Sequence, residues 1–322
     1  MTRTEIRDKR GVTSHTVNVM PLGESARKRK GLVECRPMAF DMHTHSDYSD
    51  GTTSPAEVVA AAARTGLSGL AITDHDTTAG WEPAEEAAEK HQIALVRGME
   101  LSTVSRDGIS VHVLSYLHDP TNIDLLAEIA KSRNARYKRA KRMAELLAED
   151  FPITWDLVKQ QTTVESTIGR PHLADALVQV GAVPNRSAAF DSILRGGSKY
   201  YVPHYAPDPV LGVELIRAAG GVPIFAHPKA KVRGRTVSQR LFYDMLDAGL
   251  AGVEVYHRDN SGSGKEWLLD FAKEHDLIVT GSSDYHGDGK PNRLGEHVTP
   301  RETVEAIEAE ATSGYKVLWN GN

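Results

Sequence analysis

Nine residues of metal-ligating type sit at or near the ends of short apolar runs. His43 and His45 lie two apart with Asp50 five further on; His75 stands between Asp74 and Asp76; Glu100 and His112 follow; His227 falls in Ala-His-Pro; Asp284 and His286 are again two apart. In extended backbone, residues i and i+2 point to one side, so His43/His45 and Asp284/His286 can each grip one ion. Imidazoles and carboxylates without thiolates suit Mn²⁺, Zn²⁺ or Fe²⁺. A carboxylate such as Glu100 can bridge two ions, holding them about 3.5–4 Å apart around a shared hydroxide. Each residue has a blander reading. His-x-His arises by chance, Asp74–Asp76 can be a capped turn, Ala-His-Pro a core histidine before a bend, and Glu100 a surface partner of Arg97 or Arg106. Nine such residues at strand ends favour metals.

The elements that would position them alternate. Strands are expected at Ala39–Met42, Gly69–Thr73, Ile93–Val96, Val111–Tyr116, Val222–Ala226, Gly252–Tyr256 and Ile278–Gly281. Between them lie helices at Pro55–Thr65, capped by Ser54 and closed by Gly66, and at Trp81–His91, Ser238–Ala248 and Ser263–His275. Strand, polar tip and helix in repetition predict parallel βαβ units, whose tips converge on one face. Residues 121–205 break the rhythm with a long basic helix over Asp124–Asp150 and shorter ones at Arg170–Val180 and Ser187–Leu194, read as a helical insertion. The expected organisation is an extension over 1–37, a first barrel part over 38–120, the insertion over 121–205 and a second barrel part over 206–322.

With 322 residues the chain can bury a large core. Residues 1–37 carry nine Lys/Arg against four acids, so the body is the more acidic part of a chain whose net charge is −5. That charge argues against coating duplex DNA but not against small nucleotides. Cys35 is the only cysteine, excluding an internal disulfide and a thiolate zinc site, which fits a reducing cytoplasm. No apolar run approaches the roughly 18 residues needed to span a bilayer, and no secretion signal is read. No obligate protein partner is inferred. His15, His91, His118, His204, His275 and His297 are read as surface or packing residues, and Gly262–Lys265 lacks the pattern of a phosphate loop.

Six segments in order, Asp41–Gly51 (DMHTHSDYSDG), Thr73–Asp76 (TDHD), Gly98–Ser102 (GMELS), Val111–Tyr116 (VHVLSY), Ala226–Pro228 (AHP) and Ser283–His286 (SDYH), resemble the PHP (polymerase and histidinol phosphatase) family. The resemblance implies an α/β fold, a distorted (βα)₇ TIM-like barrel, with two or three divalent ions, Mn²⁺ foremost. One ion would be held by His43, His45, Glu100 and Asp284, a second by Glu100, His112 and His227, a third by Asp50, His75 and His286. Gly169–Ala174 (GRPHLA), with Gly181, Ala189-Phe190 and Tyr200–Pro203, resembles the branch that hydrolyses phosphates of nucleotides and short oligonucleotides.

That likeness implies phosphate contacts from Arg170 and His172; Lys229, after Ala-His-Pro, is a third candidate, and His257 lies near the site face. The alternative for the first two is that Arg170 opens a helix and His172 packs on the barrel. The expected reaction is metal-dependent hydrolysis by an activated hydroxide, with Glu100, His227 and His286 as catalytic residues. The substrate would be a 3′,5′-bisphosphonucleotide or the 5′ end of short RNA. AMP, cyclic nucleotide phosphates or histidinol phosphate are the enzymatic alternatives, and a metal-bound regulatory module the non-enzymatic one.

Overall fold

The computed structural model describes residues 38–163, 166–231 and 234–319; the basic extension over 1–37 and Cys35 lie outside them. Eight strands, β1 (Ala39–Thr44), β2 (Gly69–Ile72), β3 (Ala94–Val104), β4 (Ser110–Tyr116), β5 (Val222–Phe225), β6 (Gly252–Tyr256), β7 (Ile278–Gly281) and β8 (Thr299–Pro300), form one sheet in the order β7-β6-β5-β4-β3-β2-β1-β8. Its two ends approach each other. Thr44 of β1 bridges Tyr285 beyond β7, and the Thr299 hydroxyl takes the Gly281 N–H at 2.9 Å and donates to the Gly281 carbonyl at 2.8 Å. The sheet is thus nearly closed into a barrel.

The helices around it are α1 (Pro55–Thr65), α2 (Trp81–His91), α7 (Pro209–Ala218), α8 (Gln239–Asp247), α9 (Gly262–Glu274) and α10 (Arg301–Glu310). Helix α1 begins as its sequence dictates: Ser54 and Glu57 form a capping box, Pro55 opens the first turn, and Gly66 ends it in left-handed backbone. The segment between β4 and β5 also holds α3 (Ile123–Leu147), α4 (Trp155–Lys159), α5 (Arg170–Gln179) and α6 (Arg186–Asp191), which enclose their own apolar cluster around Met143, Leu147, Leu173 and Leu177. Among the described residues no helix is long and apolar enough to cross a membrane.

The expectation of uniformly parallel units fails at β4, which runs antiparallel to both β3 and β5. The reason is the connection. Five residues link β3 to β4, closed by Ser105 N–H to Ile109 C=O at 2.9 Å and Gly108 N–H to Ser105 C=O at 2.8 Å. A parallel return needs a crossover of a dozen residues or more, and this loop admits only a hairpin. The hairpin also carries β3 well beyond Val96, where the third strand was expected to stop, so Glu100 lies within a strand and not after one.

Candidate metal centre

The ends of β1, β2, β5 and β7 and the middle of the β3–β4 hairpin bring all nine candidate ligands to one mouth of the barrel. Glu100 is its centre. One carboxylate oxygen lies 3.2 Å from His43 Nε2, 3.1 Å from His45 Nε2 and 3.3 Å from His75 Nδ1. The other lies 2.7 Å from His112 Nδ1 and 3.2 Å from His227 Nε2. Five imidazoles therefore surround one buried carboxylate. Burial pushes the Glu100 carboxyl up, but His112, His43 and His75 outweigh it and hold it well below the usual range.

His43, His45, Glu100 and Asp284 form one compact donor group, and His45, Asp50, His75 and His286 a second. His75, Glu100 and His112 form a third; His227 touches Glu100 but groups with His43 and Glu254. The ligand sets implied by the family resemblance are thus adjacent, with His227 and His112 on neighbouring clusters.

The donors fit divalent cations on the orientation of their lone pairs. The His286 Nδ1–H donates to the Asp284 carbonyl at 2.8 Å, which leaves Nε2 as an acceptor, yet Nε2 faces Asp50 Oδ1 at 3.1 Å. His43 Nδ1–H donates to Glu254 Oε1 at 3.0 Å, and its Nε2 faces His45 Nε2 at 3.0 Å. An acceptor nitrogen turned on a carboxylate at hydrogen-bond distance, as His286 Nε2 is on Asp50, is repulsive unless a cation lies between them.

The backbone is bent to make this arrangement. Asp76, His227 and Asp284 have φ of 52°, 32° and 55°, half of the six non-glycine residues with positive φ among those described. Such conformations cost about 1–3 kcal/mol each and persist where surroundings impose them. Here the surroundings are hydrogen bonds. Asp76 accepts from Ser102 N–H at 2.8 Å; Asp41 accepts from Ser283 N–H and Gly295 N–H, both at 2.9 Å. Gly51 closes the loop that presents Asp50; a Cβ there would lie 2.6 Å from the His45 carbonyl oxygen.

Glu254, in β6, was not expected as a site residue. It is wholly buried, accepts from His43 Nδ1–H, takes the His227 N–H at 2.7 Å, and receives the Ser282 hydroxyl. Burial pushes it up, but His43 and His257 bring it down to about 2. A glutamine there would keep the volume but place an NH₂ either against the His43 and Ser282 donors or against the His227 N–H. Metal affinity of Glu254→Gln is expected to fall about 10–100-fold, read by calorimetric titration with Mn²⁺. An unchanged affinity would refute the positioning role.

Above the ligands a cavity of about 800 Å³ opens, lined by Asp50, His75, His112, His227 and His286 together with Arg136, Arg139, Arg170, Arg186 and Phe190. Arg170 opens α5 and reaches the Leu194 carbonyl at 3.3 Å. His172 is buried; its Nδ1 accepts the Gly169 N–H at 3.0 Å, capping α5, and it is not in the cavity wall. Lys229 is turned away as well, its ammonium 3.7 Å from the Trp267 ring centre. Lys290 does reach the ligands, 3.0 Å from Asp284 Oδ2. His257 is buried with Nε2 3.7 Å from that same oxygen.

A ring of His, Asp and Glu at the mouth of a nearly closed α/β barrel, under an arginine-walled cavity, defines a metal-dependent hydrolase of phosphate esters. The comparisons agree. The PHP domain model matches residues 41–189. A 5′-3′ exoribonuclease of Haemophilus influenzae is 35% identical over 77% of this chain and 89% of its own length. A 3′,5′-nucleoside bisphosphate phosphatase of Chromobacterium violaceum is 34% identical over 79% and 89%. A solved chain from Bifidobacterium adolescentis, described as a metal-dependent phosphoesterase, superposes with a TM-score of 0.83 at 44% identity, covering 85% of this chain and 96% of its own. The chain belongs to the PHP family, and it is a phosphoesterase.

Proposed function

We propose that the chain hydrolyses phosphate esters of nucleotides, either a 3′,5′-bisphosphonucleotide or the 5′ end of short RNA, in the cytoplasm. The observation that carries this reading is the floor of five imidazoles around Glu100 beneath a wall of arginines. The relatives that act on bisphosphates and on RNA support it.

In this reading His43, His45, Asp50, His75, Glu100, His112, His227, Asp284 and His286 hold two or three divalent ions, Mn²⁺ first and Zn²⁺ or Fe²⁺ as alternatives. Bound there, the ions would supply an acidified water and positive charge opposite the phosphoryl oxygens. The chain's own part is to place the ester. Glu100 keeps the imidazoles in register. Arg136, anchored on Asp76 at 3.0 Å, and Arg170 offer planar donors to phosphate oxygens. Burial and the Lys290 charge bring His286 down to about 4, so its ring is neutral at pH 7 and has no proton to spare for a leaving group. That task falls to His227 or to water. His172 and Lys229 are given no phosphate contact.

The test is phosphate release by Mn²⁺-loaded protein from adenosine 3′,5′-bisphosphate, AMP, histidinol phosphate and a 5′-phosphorylated RNA oligomer. The bisphosphate or the RNA should be preferred by about tenfold or more, the value of one charge-assisted hydrogen bond. Equal or faster turnover of AMP or histidinol phosphate would overturn the substrate.

A further inference from the structure

Between β1 and α1 the chain runs through a tight loop whose own hydrogen bonds fix its ends but not its middle. The Ser46 carbonyl takes the N–H groups of Ser49 and Gly51 at 3.1 and 2.9 Å, and the Thr52 N–H donates to the His286 carbonyl at 3.2 Å. On the barrel side the Ser46 and Ser49 hydroxyls each donate to Asp74 at 2.6 Å. The carbonyls between these ends, from Asp47 to Asp50, are taken by the helical segment that joins β4 to β5. Ser166 Oγ donates to Asp47 at 2.5 Å, the Thr167 N–H to Tyr48 at 3.0 Å, and Arg186 Nη1 to Asp50 at 2.7 Å. His172 serves Ser49: its Nδ1 accepts the Gly169 N–H, so its proton is on Nε2, and the ring hydrogen-bonds to the Ser49 backbone.

Arg186 makes the contact next to the chemistry. Its Nε and Nη2 pair with the two Asp175 carboxylate oxygens, both at 2.5 Å, which leaves Nη1 for the Asp50 carbonyl. The pair ties α5, which carries Asp175, to the first residue of α6. The charge of Arg186 is therefore met within the protein, and its planar fork is held rigidly by a two-pronged partner. Gly289, in the loop after His286, gives the group room, because a Cβ there would collide with Nη1. The guanidinium thus sits between the loop of Asp50 and the loop of His286. Asp50 Oδ1 lies 3.1 Å from His286 Nε2, and Oδ2 lies 3.8 Å from His75 Nε2. A hydrogen bond on the main chain of a ligand residue fixes where its side chain points, as partners behind metal ligands generally do.

We propose that Arg186, locked by Asp175, is a positioning residue for the metal centre: through the Asp50 carbonyl it aims the Asp50 carboxylate at His75 and His286. The helices between β4 and β5 then complete the donor group of Asp50, His75 and His286, whereas His43, His45, Glu100 and Asp284 come from the barrel alone. One ion depends on the inserted helices and its neighbour does not. The inference rests on the ligand assignment in the reading above and deepens it.

The experiment titrates Mn²⁺ calorimetrically into the full chain after chelation, comparing wild type with Arg186→Met, Asp175→Asn, Asp50→Asn and Ser166→Ala, with melting temperatures as a folding control. Asp50→Asn marks the class of sites that contains Asp50. Arg186→Met, which keeps the stem but no donor, should weaken that class about 10–100-fold and leave the other as in wild type. Turnover at low Mn²⁺ should fall with it and recover when Mn²⁺ is raised, as a lost metal affinity requires and a lost substrate contact does not. Asp175→Asn should show the same selective loss, smaller in size. Ser166→Ala cuts the same interface at Asp47, away from the ligand, and should keep both classes. A folded Arg186→Met protein with the wild-type isotherm overturns the proposal. So does an equal loss in both classes, or the same loss in Ser166→Ala, since either would make the contact one of general docking. If Arg186→Met does not fold, an unaltered isotherm in Asp175→Asn overturns it. An Asp50→Asn protein with the wild-type isotherm would sink the ligand assignment, and the proposal with it. Loss of that class in Asp50→Asn but not in Arg186→Met sinks the positioning role alone.

Discussion

Glu100→Gln is expected to lose at least one bound metal and to lower kcat/KM on any accepted substrate by about 10³-fold. The size follows from the geometry. One buried carboxylate serves five imidazole nitrogens at 2.7–3.3 Å, and it shares two of the donor groups that could hold an ion. Removing one partner of a buried charged cluster costs about 3–5 kcal/mol, and about 4 kcal/mol is a factor of a thousand in rate. Glutamine keeps the shape but replaces one oxygen with an NH₂, which must point either at His43, His45 and His75 or at His112 and His227. Elemental analysis of the purified variant against wild type, beside steady-state kinetics, is the check. A Glu100→Gln protein with full metal content and normal turnover would remove Glu100 from the centre of the site.

Much of this centre was legible because metal ligation needs few residue types at simple spacings. His43/His45 and Asp284/His286 stand two apart, and the strand-end positions of His75 and His227 follow from apolar runs that stop abruptly. The helix signals were equally local: Ser54, Pro55 and Gly66 bound α1 where expected. Helices α7 and α10 went unread, although Asp208 caps the first and Pro209 opens it. A short apolar stretch between two motifs gives little periodicity to count.

What sequence alone could not show depends on direction. A strand's polarity is set by the length of the loop before it, and the Ser105–Ile109 hairpin reverses β4 without altering its apolar pattern. Lys229 follows a site histidine, yet its stem carries the ammonium to Trp267 because a cation gains there from the ring face. Lys290, four residues after His286, reaches Asp284 instead, through a turn at Gly287 and Gly289. Glu254 had one signal, an acid between the buried Val253 and Val255, though a strand with one wetted face would show the same alternation. His204 and Arg139 lie 65 residues apart in the chain and meet only through the packing of α3 against the segment after α6.

Metal uptake should release protons, and the two main donor groups should differ in how much. In the metal-free chain burial pulls His45 down, but hydrogen bonds to Asp284 and Glu100 raise it to about 9; His43 is likewise raised well above its ordinary value by Glu100, Glu254 and Asp284 against burial. The sign is fixed by these directions. His45 holds its proton up to about pH 9 and His43 is raised in the same direction, so both rings must lose a proton before they can act as ligands, and affinity at His43, His45, Glu100 and Asp284 rises with pH. Each proton released contributes about tenfold per pH unit, so two would give about 10⁴-fold between pH 6 and 8. At the group of Asp50, His75 and His286 the histidines go the other way. Burial brings His75 well below its ordinary value and His286 down to about 4, so those rings are neutral throughout this range. That group keeps its affinity at pH 6 apart from any share taken by His45. Titration with Mn²⁺ at pH 6, 7 and 8, in buffers of different ionisation enthalpy, reads both affinity and proton count. The expected result is one strongly pH-dependent class of sites and one that changes little. A single pH-independent class would mean that Glu100 does not hold protonated imidazoles in the metal-free chain.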